Sequence, residues 1–126
     1  MKIDHAALFV ADLEGSAAFF ETYFGGRRNH LYHNGKTGLS TYILSFEGGA
    51  RLELMHLPSV AERGSQHLLG FAHVSFSVGS REQVDALTAR LREDGYTVKS
   101  GPRVTGDGYY ESSVLDKEGN AIEITV

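Results

Sequence analysis

Residues 70–78, GFAHVSFSV, decide how this chain is read, because they restate residues 3–10, IDHAALFV. Both stretches are short, apolar and rich in β-formers, and both carry one His near the start. His5 precedes Val10 by five positions, as His73 precedes Val78. Strand alternation puts Ala6, Leu8 and Val10 on one face, with Ile3, His5, Ala7 and Phe9 on the other. In the second stretch Ala72, Val74, Phe76 and Val78 form the apolar face and leave His73, Ser75 and Ser77 opposite.

The segments downstream of the two stretches match as well. After the first, Asp12 is placed to cap LEGSAAFFETYF, in which Leu13, Ala17, Phe20 and Phe24 recur at helical spacing, and Gly25-Gly26 ends the run. After the second, Ser80 and Gln83 form a capping box that opens a helix through about Asp94. Val84, Leu87 and Leu91 supply its buried stripe, and Gly95 stops it. Three strands are expected next in each half: 27–33, 39–47 and 50–57 in the first, 96–100, 109–116 and 121–126 in the second. Asn34-Gly35 and Gly48-Gly49 mark hairpin turns in the first half. Gly106-Asp107-Gly108 and Glu118-Gly119-Asn120 mark turns in the second. The predicted order is βαβββ, linker, βαβββ, an α+β chain with one domain over 1–126: module 1 at 1–57, linker at 58–70, module 2 at 71–126.

The repeat carries a second polar residue. Glu53 lies 48 residues after His5, in Leu-Glu-Leu, and Glu123 lies 50 after His73, in Ile-Glu-Ile. Each sits in the last strand of its half, where the flanking aliphatic residues turn inward and the Glu turns away. A Glu alternating with Leu or Ile is by itself the ordinary wet side of a strand. Two His and two Glu at matching places in a duplicated frame are harder to dismiss. If the two halves bring them together, two imidazoles and two carboxylates make a donor set for Zn, Ni, Co, Mn or Fe in the divalent state. Four protein donors leave one or two positions open on a five- or six-coordinate ion, which is a catalytic rather than a closed arrangement. His5, Glu53, His73 and Glu123 are therefore the expected metal ligands.

Other candidates carry less. His30, His33, His56 and His67 have no counterpart in the repeat and read as surface or loop residues, His56 being notable for lying three positions past Glu53. Tyr109, Tyr110 and Glu111 come after a glycine-rich turn and read as strand residues, one of whose tyrosines is a candidate to line a cleft. Arg27-Arg28 reads as a solvated edge-strand pair rather than an anion clamp. Gly106-Asp107-Gly108 is too short for a phosphate loop.

Bulk properties remove whole classes. A net charge of −4 with no basic stripe gives no footprint for nucleic acid. The apolar runs fall far short of the ~20 residues that span a bilayer. With no Cys, disulfides, thiolate catalysis and Cys-based zinc sites are excluded. MKIDHAALFV meets charge at Asp12 without a small-residue cleavage site, so the expected location is the cytoplasm.

The frame resembles the vicinal oxygen chelate superfamily, which includes glyoxalase I, fosfomycin-resistance transferases, methylmalonyl-CoA epimerase, extradiol dioxygenases and bleomycin-binding proteins. The resemblance covers the whole chain and is carried by IDHAALFVADLEGSAAFFETYFG, RLELM, GFAHVSFSV and LDKEGNAIEI. It implies two βαβββ modules, each a curved mixed-sheet half-barrel. The first and last strands of each module give one metal ligand apiece, which maps onto His5, Glu53, His73 and Glu123. A full His/Glu/His/Glu set is most like glyoxalase I. The transferases and dioxygenases typically lack a ligand at the position of Glu53, and the epimerases usually have Gln there.

That resemblance implies a metal-dependent lyase or isomerase that converts a 2-oxoaldehyde hemithioacetal to a 2-hydroxyacyl thioester through a metal-stabilised enediolate. Glu123, or its symmetry mate Glu53, would be the base. The alternatives within the fold are a thiol transferase, a dioxygenase or a non-catalytic small-molecule binding protein. Bacterial glutathione-dependent glyoxalases hold glutathione with an Arg four residues past the first His and an Asn four past the first Glu. Phe9 and Leu57 stand there in this chain, which leaves the thiol open. A homodimer is also expected, the linker permitting ligand sharing between chains or closure within one.

Overall fold

The computed structural model describes residues 4–64 and 70–126. Ile3 and His67, both assigned places by the sequence, lie outside the described residues. The chain divides into two compact units, Met1–Arg63 and Gly64–Val126.

In the first unit, β1 (His5–Phe9) leads into α1 (Leu13–Phe24), then β2 (Arg27–Arg28), β3 (Tyr32–His33), β4 (Ser40–Ser45) and β5 (Arg51–His56). The sheet runs β1-β5-β4-β2, with β3 also paired to β4. β1 and β5 are parallel and β4 and β5 antiparallel. The helix is capped as its sequence demands. The Asp12 carboxylate accepts the Gly15 amide at 2.9 Å, and Gly25 ends the helix at φ 67°, a left-handed conformation that a side chain would strain. The helix buries Ser16, Ala17, Phe19 and Phe20, and Leu44, Leu52 and Leu54 line the inner face of the sheet.

The second unit has β6 (Val74–Ser77), α2 (Arg81–Glu93), β7 (Val98–Val104), β8 (Tyr110–Leu115) and β9 (Ala121–Thr125). Its sheet order, β6-β9-β8-β7, repeats the first: the opening strand lies parallel to the closing one, and the middle strands are antiparallel. Ser80 accepts the Gln83 amide at 3.3 Å at the start of α2, and Gly95 comes just past its end at φ 88°. Val84 and Leu91 of the helix and Val114, Ile122 and Ile124 of the sheet are fully buried. Neither sheet closes on itself. The architecture is α+β with two βαβββ modules, as expected.

Three details differ from expectation, each for a local reason. The strand expected over 27–33 breaks into β2 and β3. Between them the Asn29 N–H still donates to the Ile43 carbonyl at 3.0 Å, but the Asn29 side chain, not its carbonyl, accepts the Ile43 amide at 2.8 Å, so one bond of the ladder pair is replaced and the strand is interrupted. The turn at Asn34-Gly35 is wider than a two-residue hairpin. Asn34 Oδ1 accepts the amides of Lys36 and Thr37, and Gly38, not Gly35, takes the positive φ of 77°. Finally, β7 runs on to Val104 through Gly101-Pro102, with a register shift between Ser100 and Arg103. As an edge strand it tolerates a proline that lacks an N–H.

Candidate metal centre

The parallel pairing of opening and closing strands fixes each His against its Glu. In the first unit Ala7 pairs with Glu53, and His5 lies two residues before Ala7 on the same face. In the second, Ser75 pairs with Glu123, and His73 lies two residues before Ser75. The register is identical. It brings His5 Nε2 to 3.7 Å from Glu53 Oε2, and His73 Nε2 to 3.0 Å from Glu123 Oε2. Both glutamates are about one-fifth exposed, and both histidines about two-fifths. The apolar neighbours Leu52, Leu54, Ile122 and Ile124 point the other way, into the cores.

These separations suit shared ligation. Two N or O donors, each about 2.0–2.2 Å from one ion at angles of about 90° to 120°, lie roughly 2.8 to 3.8 Å apart. Each unit thus offers one imidazole and one carboxylate at the spacing of a bidentate half-site. Among the described residues, no three or more His, Asp or Glu side chains are grouped to hold a metal ion, so each unit alone supplies a pair and no more.

The environment of His5 is more elaborate than its sequence motif suggests. Its Nδ1 donates to Asp4 Oδ2 at 2.9 Å, and Arg51 donates to the same carboxylate oxygen. The His5 ring first, and Arg51 second, hold the Asp4 carboxyl below its usual range. A carboxylate only accepts, so in the neutral ring Nδ1 carries the proton and Nε2 keeps its lone pair.

His73 and Glu123 open onto a cleft of about 340 Å³, lined also by Ser75, Asp107, Tyr109, Glu111 and Thr125. Tyr109 is well exposed there, and is the one of the two tyrosines that lines a cleft. Tyr110 instead turns to α2, where its hydroxyl donates to Asp85 at 2.6 Å and Arg81 stacks over its ring. Glu111 lies 3.7 Å from Arg103. Ser75 and Thr125 follow from alternation, each lying two residues from a candidate ligand along the chain and on its face. Glu111 follows by the same rule, since it pairs with Thr125 and shares the face of Ser113, which pairs with Glu123, whereas Asp107 lies in the turn between β7 and β8, where alternation says nothing.

The remaining polar candidates are engaged in the fold. His56 Nδ1 meets the Val10 carbonyl at 3.1 Å, on the strand face opposite Glu53. His33 meets Ser40 at 2.9 Å, and His30 is exposed. Arg28 grips Glu21 through two N–H groups at 2.8 and 2.6 Å, and donates to Glu14 at 2.7 Å. That makes it a brace between α1 and β2, while Arg27 stays exposed on the edge strand.

A duplicated βαβββ unit whose outer strands present a His and a Glu at one register defines the vicinal oxygen chelate fold. The model of the Glyoxalase/Bleomycin resistance protein/Dioxygenase superfamily matches residues 2–124, and the chain belongs to that superfamily. A possible glyoxalase from Bacillus cereus is similar at 31% identity and TM-score 0.74, over 100% of this chain and 99% of that one. A glyoxylase/bleomycin resistance protein/dioxygenase domain from Frankia sp. EAN1pec shares the fold at 21% identity and TM-score 0.85, over 100% and 97% of the two chains. Glyoxalase I from Zea mays shares it at 18% identity and TM-score 0.80, over 98% of this chain and 44% of the maize chain. The comparison with curated proteins gave no match. No described helix is long and apolar enough to cross a membrane.

Proposed function

We propose that the chain is a divalent-metal-dependent lyase of the glyoxalase I type, acting on the hemithioacetal of a 2-oxoaldehyde. The observation that carries this reading is the matched pair of half-sites, His5 with Glu53 and His73 with Glu123. One pair from each unit, within a chain or across a cytoplasmic homodimer, would complete a four-donor site for Zn, Ni, Co, Mn or Fe. The donor set fits such an ion in chemistry and in spacing. When bound, the ion supplies Lewis-acid polarisation of the substrate's vicinal oxygens.

The protein's own part is proton movement and positioning. Glu123 is the better-placed base because it lines the cleft, with Tyr109 offering an aromatic wall for the substrate. It would take the proton from the thiol-bearing carbon and return it to the neighbouring carbon. A 2-hydroxyacyl thioester results, and no atom is gained or lost. The thiol need not be glutathione, since Phe9 and Leu57 supply neither of the polar groups that would hold it. Asp107, Glu111 and Glu123 also make the cleft unwelcoming to an anionic thiol.

Retention of a Glu at position 53 favours this reading over a three-ligand transferase or dioxygenase of the same superfamily. The test is Glu123→Gln, assayed with hemithioacetals of several thiols alongside metal content. Loss of isomerase activity is expected; wild-type activity together with wild-type metal content rules the assignment out. A protein that takes up no stoichiometric divalent metal would instead be a small-molecule binding module.

A further inference from the structure

We infer that Asp4, held by Arg51, is a positioning residue that fixes the His5 ring as a ready metal donor, making the first half-site the organised one. This rests on the proposed metal site, and its observations are the two units' own geometry. At His5 the Asp4 carboxylate occupies Nδ1 at 2.9 Å, so the lone pair sits on Nε2, the nitrogen that faces Glu53. At 3.7 Å that nitrogen and Glu53 Oε2 are too far apart for a hydrogen bond, as two groups each presenting a lone pair should be. At His73 the Nε2–Glu123 Oε2 separation is an ion-pair contact of 3.0 Å, and Ala72 gives that ring no neighbouring carboxylate to fix its tautomer.

The sequence difference behind this is paired. The residue before His73 is Ala72 where Asp4 stands in the first unit. The residue two before Glu123 is Ala121 where Arg51 stands before Glu53. Carboxylate and guanidinium are therefore present together in one unit and absent together in the other, as a device that works only as a pair would be. Arg51 pairs with His5 in the strand register, which brings its guanidinium to the Asp4 carboxylate. A carboxylate on the far nitrogen of a ligating imidazole sets its tautomer and orientation and raises its donor strength, and removing it typically weakens metal binding about 10- to 100-fold.

The test uses the intact chain, with Zn²⁺ as probe against a chromophoric chelator and nitrogen NMR of the imidazoles in the metal-free protein. Asp4 is exposed and outside the core, so Asp4→Ala should fold. It is expected to weaken Zn²⁺ binding about 10- to 100-fold and to move His5 from the Nδ1–H form towards Nε2–H, while His73 is unmoved. The double variant Ala72→Asp, Ala121→Arg should turn His73 to the Nδ1–H form. Unchanged Zn²⁺ affinity in Asp4→Ala beside normal wild-type binding overturns the inference. If the wild type binds no Zn²⁺, the functional reading fails on its own. The tautomers then decide the role of Asp4: a His5 ring in the same form with and without Asp4 removes it.

Discussion

The two half-sites have the same donors at the same register, yet their surroundings differ. In the first, Asp4 and Arg51 hold His5 by its far nitrogen and leave Nε2 free beside Glu53. In the second, His73 and Glu123 lie 3.0 Å apart, and the cleft with Tyr109 lies at their side. Duplication supplies two equal pairs, and divergence around them separates the tasks. On the proposed function, the first half would hold a ligand ring still and the second would present a carboxylate to a substrate.

The most severe way to break that contrast is to remove the proposed base. Glu123→Gln should lower turnover by about 10²- to 10⁴-fold, the usual worth of general acid–base catalysis, whereas Glu53→Gln should act mainly through metal affinity. Steady-state kinetics at saturating metal separates the two; equal losses of turnover would erase the distinction.

The cores differ in parallel with the sites. By helix and strand register, Phe20 and Tyr42 of the first unit correspond to Thr88 and Ser112 of the second. The latter are fully buried and hydrogen-bonded to each other at 2.6 Å. Phe20→Ala should destabilise by about 3–5 kcal/mol through the cavity it leaves. Thr88→Val should cost about 1–3 kcal/mol by leaving the Ser112 hydroxyl buried without a partner. Denaturant melts of both variants test this, and a Thr88→Val protein of wild-type stability would deny the pair its role.

A smaller effect separates the units by pH. Arg28 holds the Glu21 carboxyl below its ordinary value of 4.5. The stabilisation is therefore complete above that value and is lost as pH falls through the lowered one. Glu21→Gln should cost about 1 kcal/mol at neutral pH and narrow towards wild type in acid, as melts across pH 2 to 7 would read out. Smallest of all, Asp107→Asn should improve use of a glutathione hemithioacetal by about 2- to 5-fold, the scale of one exposed charge interaction. A neutral thiol's kinetics should be unmoved.

Much of the molecule was legible because the repeat is written in small signals that agree. Helix α1 falls on Leu13–Phe24, where Asp12 and Gly25 bracket it, and the alternation around Glu53 and Glu123 predicted their faces. The features that escaped depended on side chains acting at a distance. Asn29 breaks a strand by reaching Ile43, and Asp4 acquires its role from Arg51, 47 residues away. Asp107 reaches the cleft from the turn between β7 and β8, whose course no alternation pattern announces.

Metal titration of the chelator-stripped protein tests most directly the proposal that one ion is held jointly by His5, Glu53, His73 and Glu123. One divalent ion per chain is predicted, with binding weakened by His5→Ala and by His73→Ala alike. Failure to take up stoichiometric metal, or binding indifferent to either histidine, would contradict it.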